Sequence, residues 1–151
     1  MIKKLVFISC SFIFLIGCST NSKQNVYKKI EKQGDKFFAE GKKTEAIKEW
    51  ENSLKIKKNS NVYDKIVFAL LLEGKNKEAK KWAEEGLTYF PNCVNLIYNF
   101  AYLNFLEGNN KEAMENINRL LNLNSCYPEG HYMKGVIYEK EGNLKLAKEE
   151  Y

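Results

Sequence analysis

Few side chains in this sequence have chemistry to offer. The 151-residue chain carries four cysteines and one histidine. Cys18 stands out by position, because it follows an apolar run over residues 5–16 and the small Gly17. There it is the one nucleophilic sulfur at the boundary between an apolar leader and a polar chain, and a small residue before it suits a protease subsite. His131 has no second histidine with which to share a metal. The sequence holds no Gly-x-Ser-x-Gly elbow and no glycine loop of the kind that cradles phosphate. Carboxylates are abundant, but they alternate with lysines on amphipathic stretches, the pattern of solvated helix faces. The expectation is a protein that is not an enzyme, with no cofactor and no metal, in which His131 packs in the core.

The leader follows a recognisable order. Lys3 and Lys4 give a positive start, and the 12-residue apolar run is short of the roughly 20 residues a spanning helix needs, while suiting a signal-peptide core. The run ends in Leu15-Ile16-Gly17-Cys18, which resembles the lipobox of bacterial lipoproteins. That resemblance implies that residues 1–17 are a cleaved signal peptide and that the Cys18 thiol and the new amino terminus are acylated. Two or three acyl chains anchor a protein durably, whereas one alone is marginal. Residues 18–25 then read as the lipidated cysteine and a polar tether spanning only about 25 Å. Ser19 stands where an aspartate typically retains lipoproteins in the inner membrane. The chain is therefore expected at the outer membrane facing the periplasm in a two-membrane cell, and otherwise on the outer face of the cytoplasmic membrane.

The elements that follow are set by a period. Gly41, Gly74, Gly108 and Gly142 lie 33, 34 and 34 residues apart, and each is followed five residues later by Ala46, Ala79, Ala113 or Ala147. No segment alternates as a strand would. A constant period of this size marks one helix–turn–helix unit, copied and stacked. The units run over 27–59, 60–93, 94–127 and 128–151, within a domain covering 26–151. Each glycine is expected to end a first helix in the left-handed conformation. Each alanine is expected to let the paired helices approach, with Phe37, Trp50, Leu70 and Tyr138 filling the gaps. Pro91 and Pro128 fall where helices end or begin.

These positions resemble the tetratricopeptide repeat, with Gly34 and Gly135 at its small eighth position, Phe37 and Tyr138 at its aromatic eleventh, and the four alanines at its twentieth. Val67 and Ala101 depart from the glycine preferred at the eighth. The resemblance implies an all-α fold, a right-handed α-solenoid of antiparallel helix pairs with four units, the last incomplete. It also implies that first helices line a concave groove. Lys28, Glu31, Asp35, Phe38 and Ala39 would line it in the first repeat, Asn61, Asp64, Phe68, Leu71 and Leu72 in the second, Asn95, Tyr98, Tyr102, Phe105 and Leu106 in the third with Asn99 nearby, and Glu129, Tyr132, Val136, Glu139 and Lys140 in the fourth. Phe68, Leu71, Leu72, Tyr98, Asn99, Tyr102 and Phe105 are the candidate binding residues, able to take an apolar helix or extended peptide whose backbone Asn99 would hydrogen-bond. The same stripe is equally expected as core if further helices cover it. A carboxylate clamp is not expected, since Glu31 and Asp35 stand where cations or amides would be required.

Cys93 and Cys126 lie at equivalent loop positions of successive repeats. Stacked helices sit about 8–10 Å apart, beyond the roughly 7 Å that a disulfide tolerates between Cα atoms, so two free, partly buried thiols are expected. The net charge of +5 includes both leader lysines and shows no segregated basic stripe, which argues against nucleic acid. The functional expectation is a membrane-anchored scaffold or adaptor of the bacterial cell envelope, binding a protein or peptide partner. The alternatives are a self-associating structural lipoprotein, possible as a homo-oligomer, or the N-terminal module of a longer envelope protein or enzyme. The end of the chain inside a second helix is expected to reflect a truncated product or fragment.

Overall fold

A computed structural model describes the backbone from Ser11 onward and the side chains from Gln24 onward. The leader expected over 1–17 and the acylation site expected at Cys18 thus lie outside the residues whose side chains are described. Eight helices and no strand occur among the described residues: α1 (Ser11–Ala39), α2 (Lys43–Ile56), α3 (Ser60–Leu72), α4 (Asn76–Tyr89), α5 (Val94–Leu106), α6 (Asn110–Leu123), α7 (Pro128–Lys140) and α8 (Leu144–Glu150). They fall into two compact units, one holding α1 and α2 up to Lys58 and the other holding α3 to α8 from Asn59. Successive helices pack as hairpins, α1 on α2 in the first unit and α3 on α4, α5 on α6 and α7 on α8 in the second. Within the second unit α3 also touches α5, and α5 touches α7. No helix among the described residues is long and apolar enough to cross a membrane.

The four turns share one construction. Gly41, Gly74, Gly108 and Gly142 have φ between 70° and 83°, the region in which an L side chain is strained. A Cβ at these positions would meet nothing within 4 Å, so the demand for glycine is conformational and not steric. The reversal lets the N–H of Lys42 reach the carbonyl of Phe37 at 2.9 Å, that of Lys75 reach Leu70 at 3.0 Å, and that of Asn143 reach Tyr138 at 2.8 Å. These bonds help satisfy helix-end carbonyls, of which that of Leu70 also accepts from the Glu73 N–H at 3.1 Å. At the other ends, the Asn59 side chain caps α3 by accepting from the backbone N–H of Asn61, and Pro128 opens α7 where no helical N–H is missed.

Between the hairpin helices the sizes of facing side chains trade off. The four alanines expected at the contact are all buried, at 2% exposure or less. Gly34 on α1 lies against Trp50 on α2, so that an added Cβ would sit 2.6 Å from the indole. Gly135 on α7 takes Tyr151 in the same way, with 2.5 Å left for a Cβ. At the equivalent positions Val67 on α3, Ala83 on α4, Ala101 on α5 and Ile117 on α6 are fully buried, and Ala101 and Ile117 share one core cluster. Val67 and Ala101, departures from the glycine preference, are thus accommodated in the core. Trp50 completes its site by donating its indole N–H to Asp35 at 3.0 Å and packing 5.5 Å from the Phe38 ring.

The second unit has its own aromatic centre. Tyr63 is fully buried among Trp82, Tyr89 and Phe90 and donates its hydroxyl to Glu85 at 2.6 Å. Gly86 makes room for it, since a Cβ there would lie 2.9 Å from Leu96 and 3.0 Å from Tyr63. Of the four gap-filling residues expected, Trp50 and Leu70 are buried. Phe37 and Tyr138 are only half-buried, and each carries a lysine amine over its ring, Lys42 at 5.8 Å and Lys134 at 5.9 Å. The corresponding position on α5 is the buried Asn104, which accepts from the Lys80 amine at 2.7 Å.

The Gly34–Trp50 contact is testable as a pair. Gly34→Ala is expected to lower stability by about 1–3 kcal/mol through overpacking, and the same change in a Trp50→Leu background is expected to cost much less. Denaturant melts of the four chains would show this as non-additivity; strictly additive losses would mean the two side chains do not limit each other.

Candidate functional site

The residues expected to line a groove divide into two sets. Phe68 and Leu72, one turn apart on α3, are about half exposed, at 50% and 52%. Leu71, Tyr98, Asn99, Tyr102 and Phe105 are half-buried. Tyr98, Tyr102 and Phe105 lean on a core cluster of Ala101, Ala113, Ile117, Met133 and Ile137, and the Lys140 amine lies 4.6 Å above the Phe105 ring. The stripe is therefore neither wholly groove nor wholly core. Its α3 edge is open, while its α5 aromatics also hold the hairpins together.

Beside the open edge is a cavity of about 170 Å³ lined by Asp64, Phe68, Asn95, Tyr98, Asn99 and Tyr127. Helix periodicity explains the first five. Asp64 and Phe68 are four residues apart on α3, and Tyr98 and Asn99 follow Asn95 by three and four on α5, so each set shares a face. Because α3 packs against α5, the two faces meet. The Asn99 amide donates to Asp64 Oδ1 at 2.6 Å, and the Asn95 amide donates to Oδ2 at 3.3 Å. Asn99, expected to hold a peptide backbone, thus spends an N–H within the protein. Burial pushes the Asp64 carboxyl above its usual range, and the two amides counter this only in part.

Tyr127 was invisible as a site residue in the sequence. It ends the third repeat, outside the first-helix positions, and caps the start of α7. The turn between α6 and α7 brings its ring to 5.8 Å from Tyr98. Burial raises the titration of both phenols, with Glu129 adding to the effect, so both keep their protons at neutral pH. The signal pointing to Tyr127 is weak: a lone aromatic between Cys126 and a helix-opening proline.

His131 corrects an expectation. Its side chain is 40% exposed and not in the core. Nδ1 lies 2.7 Å from Glu150 on α8, and Nε2 lies 3.0 Å from the Ser125 carbonyl. The register that suggested core packing misses this, because α8 ends just where Glu150 can reach back to α7. Cys93 and Cys126 are both free, as expected, but Cys126 is exposed where partial burial was expected. Among the described residues, no three of His, Cys, Asp and Glu assemble in a way that would hold a metal ion.

The family profile described as "Tetratricopeptide repeat" matches residues 128–151, which hold α7 and α8. No curated protein matches the chain. Among solved structures, the crystal structure of MamA is 23% identical, with a TM-score of 0.70 over 78% of this chain and 70% of its own. A tetratricopeptide repeat protein from Parabacteroides merdae ATCC 43184 is 20% identical, with a TM-score of 0.74 over 82% of this chain and 50% of its own, so the aligned part is half of that protein. The first tetratricopeptide domain of Spaghetti (RPAP3), bound to the HSP90 peptide SRMEEVD, is 17% identical, with a TM-score of 0.71 over 77% of this chain and 93% of its own. These likenesses show the fold, which is all-α and of the tetratricopeptide-solenoid type.

The His131 bridge has a pH signature. Both ring nitrogens face acceptors, so only the doubly protonated imidazolium satisfies both, and the Ser125 carbonyl and Glu150 raise the histidine above its usual 6.5. Its contribution is complete below about pH 6.5 and is lost as pH rises through the raised folded value. For Glu150, burial pushes upward, but hydrogen bonds from Lys134 and His131 prevail and leave it lowered. Its contribution is present above about pH 4.5 and is lost as pH falls through the lowered value. The stability difference between the wild type and His131→Gln is expected to be largest near pH 6 and to shrink by about pH 8. Denaturant midpoints across that range check it, and a constant difference would contradict the bridge.

Proposed function

We propose that this chain is a membrane-anchored adaptor of the bacterial cell envelope, held by acyl chains on Cys18 and binding a peptide or helix of a protein partner along α3 and α5. The observation that carries the binding half is the open edge formed by Phe68 and Leu72 beside the cavity at Asp64, Tyr98, Asn99 and Tyr127. Two large apolar side chains left about half exposed, one turn apart and next to a polar cleft, form a surface that an apolar partner face would cover. The fold supports the same reading, since stacked helix pairs offer extended surfaces for binding other chains. Spaghetti, a structure of like fold, has a peptide bound to its first tetratricopeptide domain. The anchoring half rests on the order of leader, apolar run and Leu15-Ile16-Gly17-Cys18 in the sequence.

A second reading, self-association, is favoured by one feature of α7 and α8. Tyr132, Leu144 and Tyr151 are exposed at 63%, 60% and 62%, and the Tyr132 and Tyr151 rings lie 5.8 Å apart. Sedimentation of the full chain separates the readings, since a monomer at working concentration removes this one.

Because Tyr98, Tyr102 and Phe105 support the core, the informative substitutions lie on α3. Phe68→Ala with Leu72→Ala is expected to abolish partner capture while changing stability by no more than about 1 kcal/mol in total, as surface changes usually do. Crosslinking from a photoreactive residue at Asn61, compared between the wild type and the double variant, reads the first. Capture that survives the double variant refutes the α3 edge. For the anchor, intact mass of the membrane-extracted protein is expected to show acyl chains on a chain beginning at Cys18, and Cys18→Ser is expected to lose them.

A further inference from the structure

The cavity at Asp64 has a charge that selects its ligand. The protein is basic as a whole, yet the ionisable groups acting on this cleft are acidic or phenolic. Asp64 lies inside it and is held by the neutral amides of Asn95 and Asn99, while Glu129 acts on both Tyr98 and Tyr127 and Cys93 also acts on Tyr127. A half-buried carboxylate held by two neutral amides still carries a desolvation cost, which a cation brought against it would offset.

Its hydrogen bonding narrows the cation further. An ionised carboxylate offers about four lone-pair sites, two on each oxygen. Asn99 takes one on Oδ1 and Asn95 takes one on Oδ2, which leaves one acceptor site on each oxygen. One acceptor site on each oxygen is the number that the parallel N–H pair of a guanidinium uses, whereas an ammonium acts as a point charge. The amides also fix the carboxylate plane, so little order remains to be imposed on binding. Phe68, Tyr98 and Tyr127 supply aromatic walls, and the electron-rich face of such a ring attracts a flat cation.

We propose that this cavity is a socket for an arginine side chain projecting from the partner peptide, with the guanidinium forked onto Asp64 and flanked by the Tyr98, Tyr127 and Phe68 rings. The inference rests on the groove reading above and adds the chemistry of the partner.

The test uses the full chain in lipid nanodiscs and fluorescein-labelled peptides of sequence Leu-Ala-X-Ala-Leu, where X is arginine, lysine, citrulline or glutamate. Citrulline keeps the shape of arginine and removes the charge. Fluorescence anisotropy is expected to show arginine bound at least tenfold more tightly than citrulline, with lysine between them and glutamate weakest. Asp64→Asn keeps the side-chain shape and is expected to bring arginine and citrulline within twofold of each other. Tyr127→Leu, which leaves the carboxylate in place, is expected to weaken arginine more than citrulline, and it carries the test if Asp64→Asn does not fold. Equal binding of arginine and citrulline to the wild type overturns the socket, as does an arginine preference that survives Asp64→Asn. If arginine and citrulline bind equally and both are lost in the Phe68→Ala, Leu72→Ala variant, the groove stands and only the arginine inference falls. Binding of none of the peptides overturns both.

Discussion

Two helices joined by a three-residue turn must pack at the distance their facing side chains allow, and every other contact in this protein inherits that distance. The turn is short because glycine adopts φ near 70–83° and reverses the chain at once. The separation is then set by a fixed alanine and by one pair whose sizes trade off. Glycine faces tryptophan or tyrosine, and alanine shares a cluster with isoleucine. Interiors pack at crystal-like density, so neither member of such a pair can grow unless the other shrinks.

Given that spacing, the candidate site follows from periodicity and neighbour packing. Residues four apart on α3 and on α5 present matching faces, and packing of α3 on α5 closes them around Asp64. The α5 aromatics serve twice. Tyr98, Tyr102 and Phe105 rest on the cluster around Ala101 and Ile117 and also border the open edge. A surface built this way is stiff, because its walls cannot move without disturbing the core. Stiffness suits a recognition surface, since less order has to be imposed when a partner binds.

Much of the architecture was legible in the residues. The glycine period marked the turns and the alanines marked the helix contacts. Three features were not legible, each for a physical reason. Tyr127 lies outside the repeating positions and reaches Tyr98 only because the α6–α7 turn folds it inward. His131 occupies a packing register but meets Glu150, and periodicity cannot foresee a contact between the start of one helix and the end of the next. Asn99 fits the pattern of a residue held ready for a peptide, yet its amide is drawn to a carboxylate 35 positions away.

The sequence by itself determined the class of fold and the places where the chain must turn. Those depend on local properties, namely the freedom of glycine at positive φ, the smallness of alanine and the 3.6-residue helical period. It also carried the whole case for a lipid anchor, which rests on residue order around Cys18. Only the tertiary structure decided which side chains share a cavity and what charge that cavity holds. Those depend on distances between residues far apart in the chain. The burial of Asp64, the spending of Asn95 and Asn99 on its two oxygens, and the approach of Tyr127 arise from helix packing and have no signature in any single repeat.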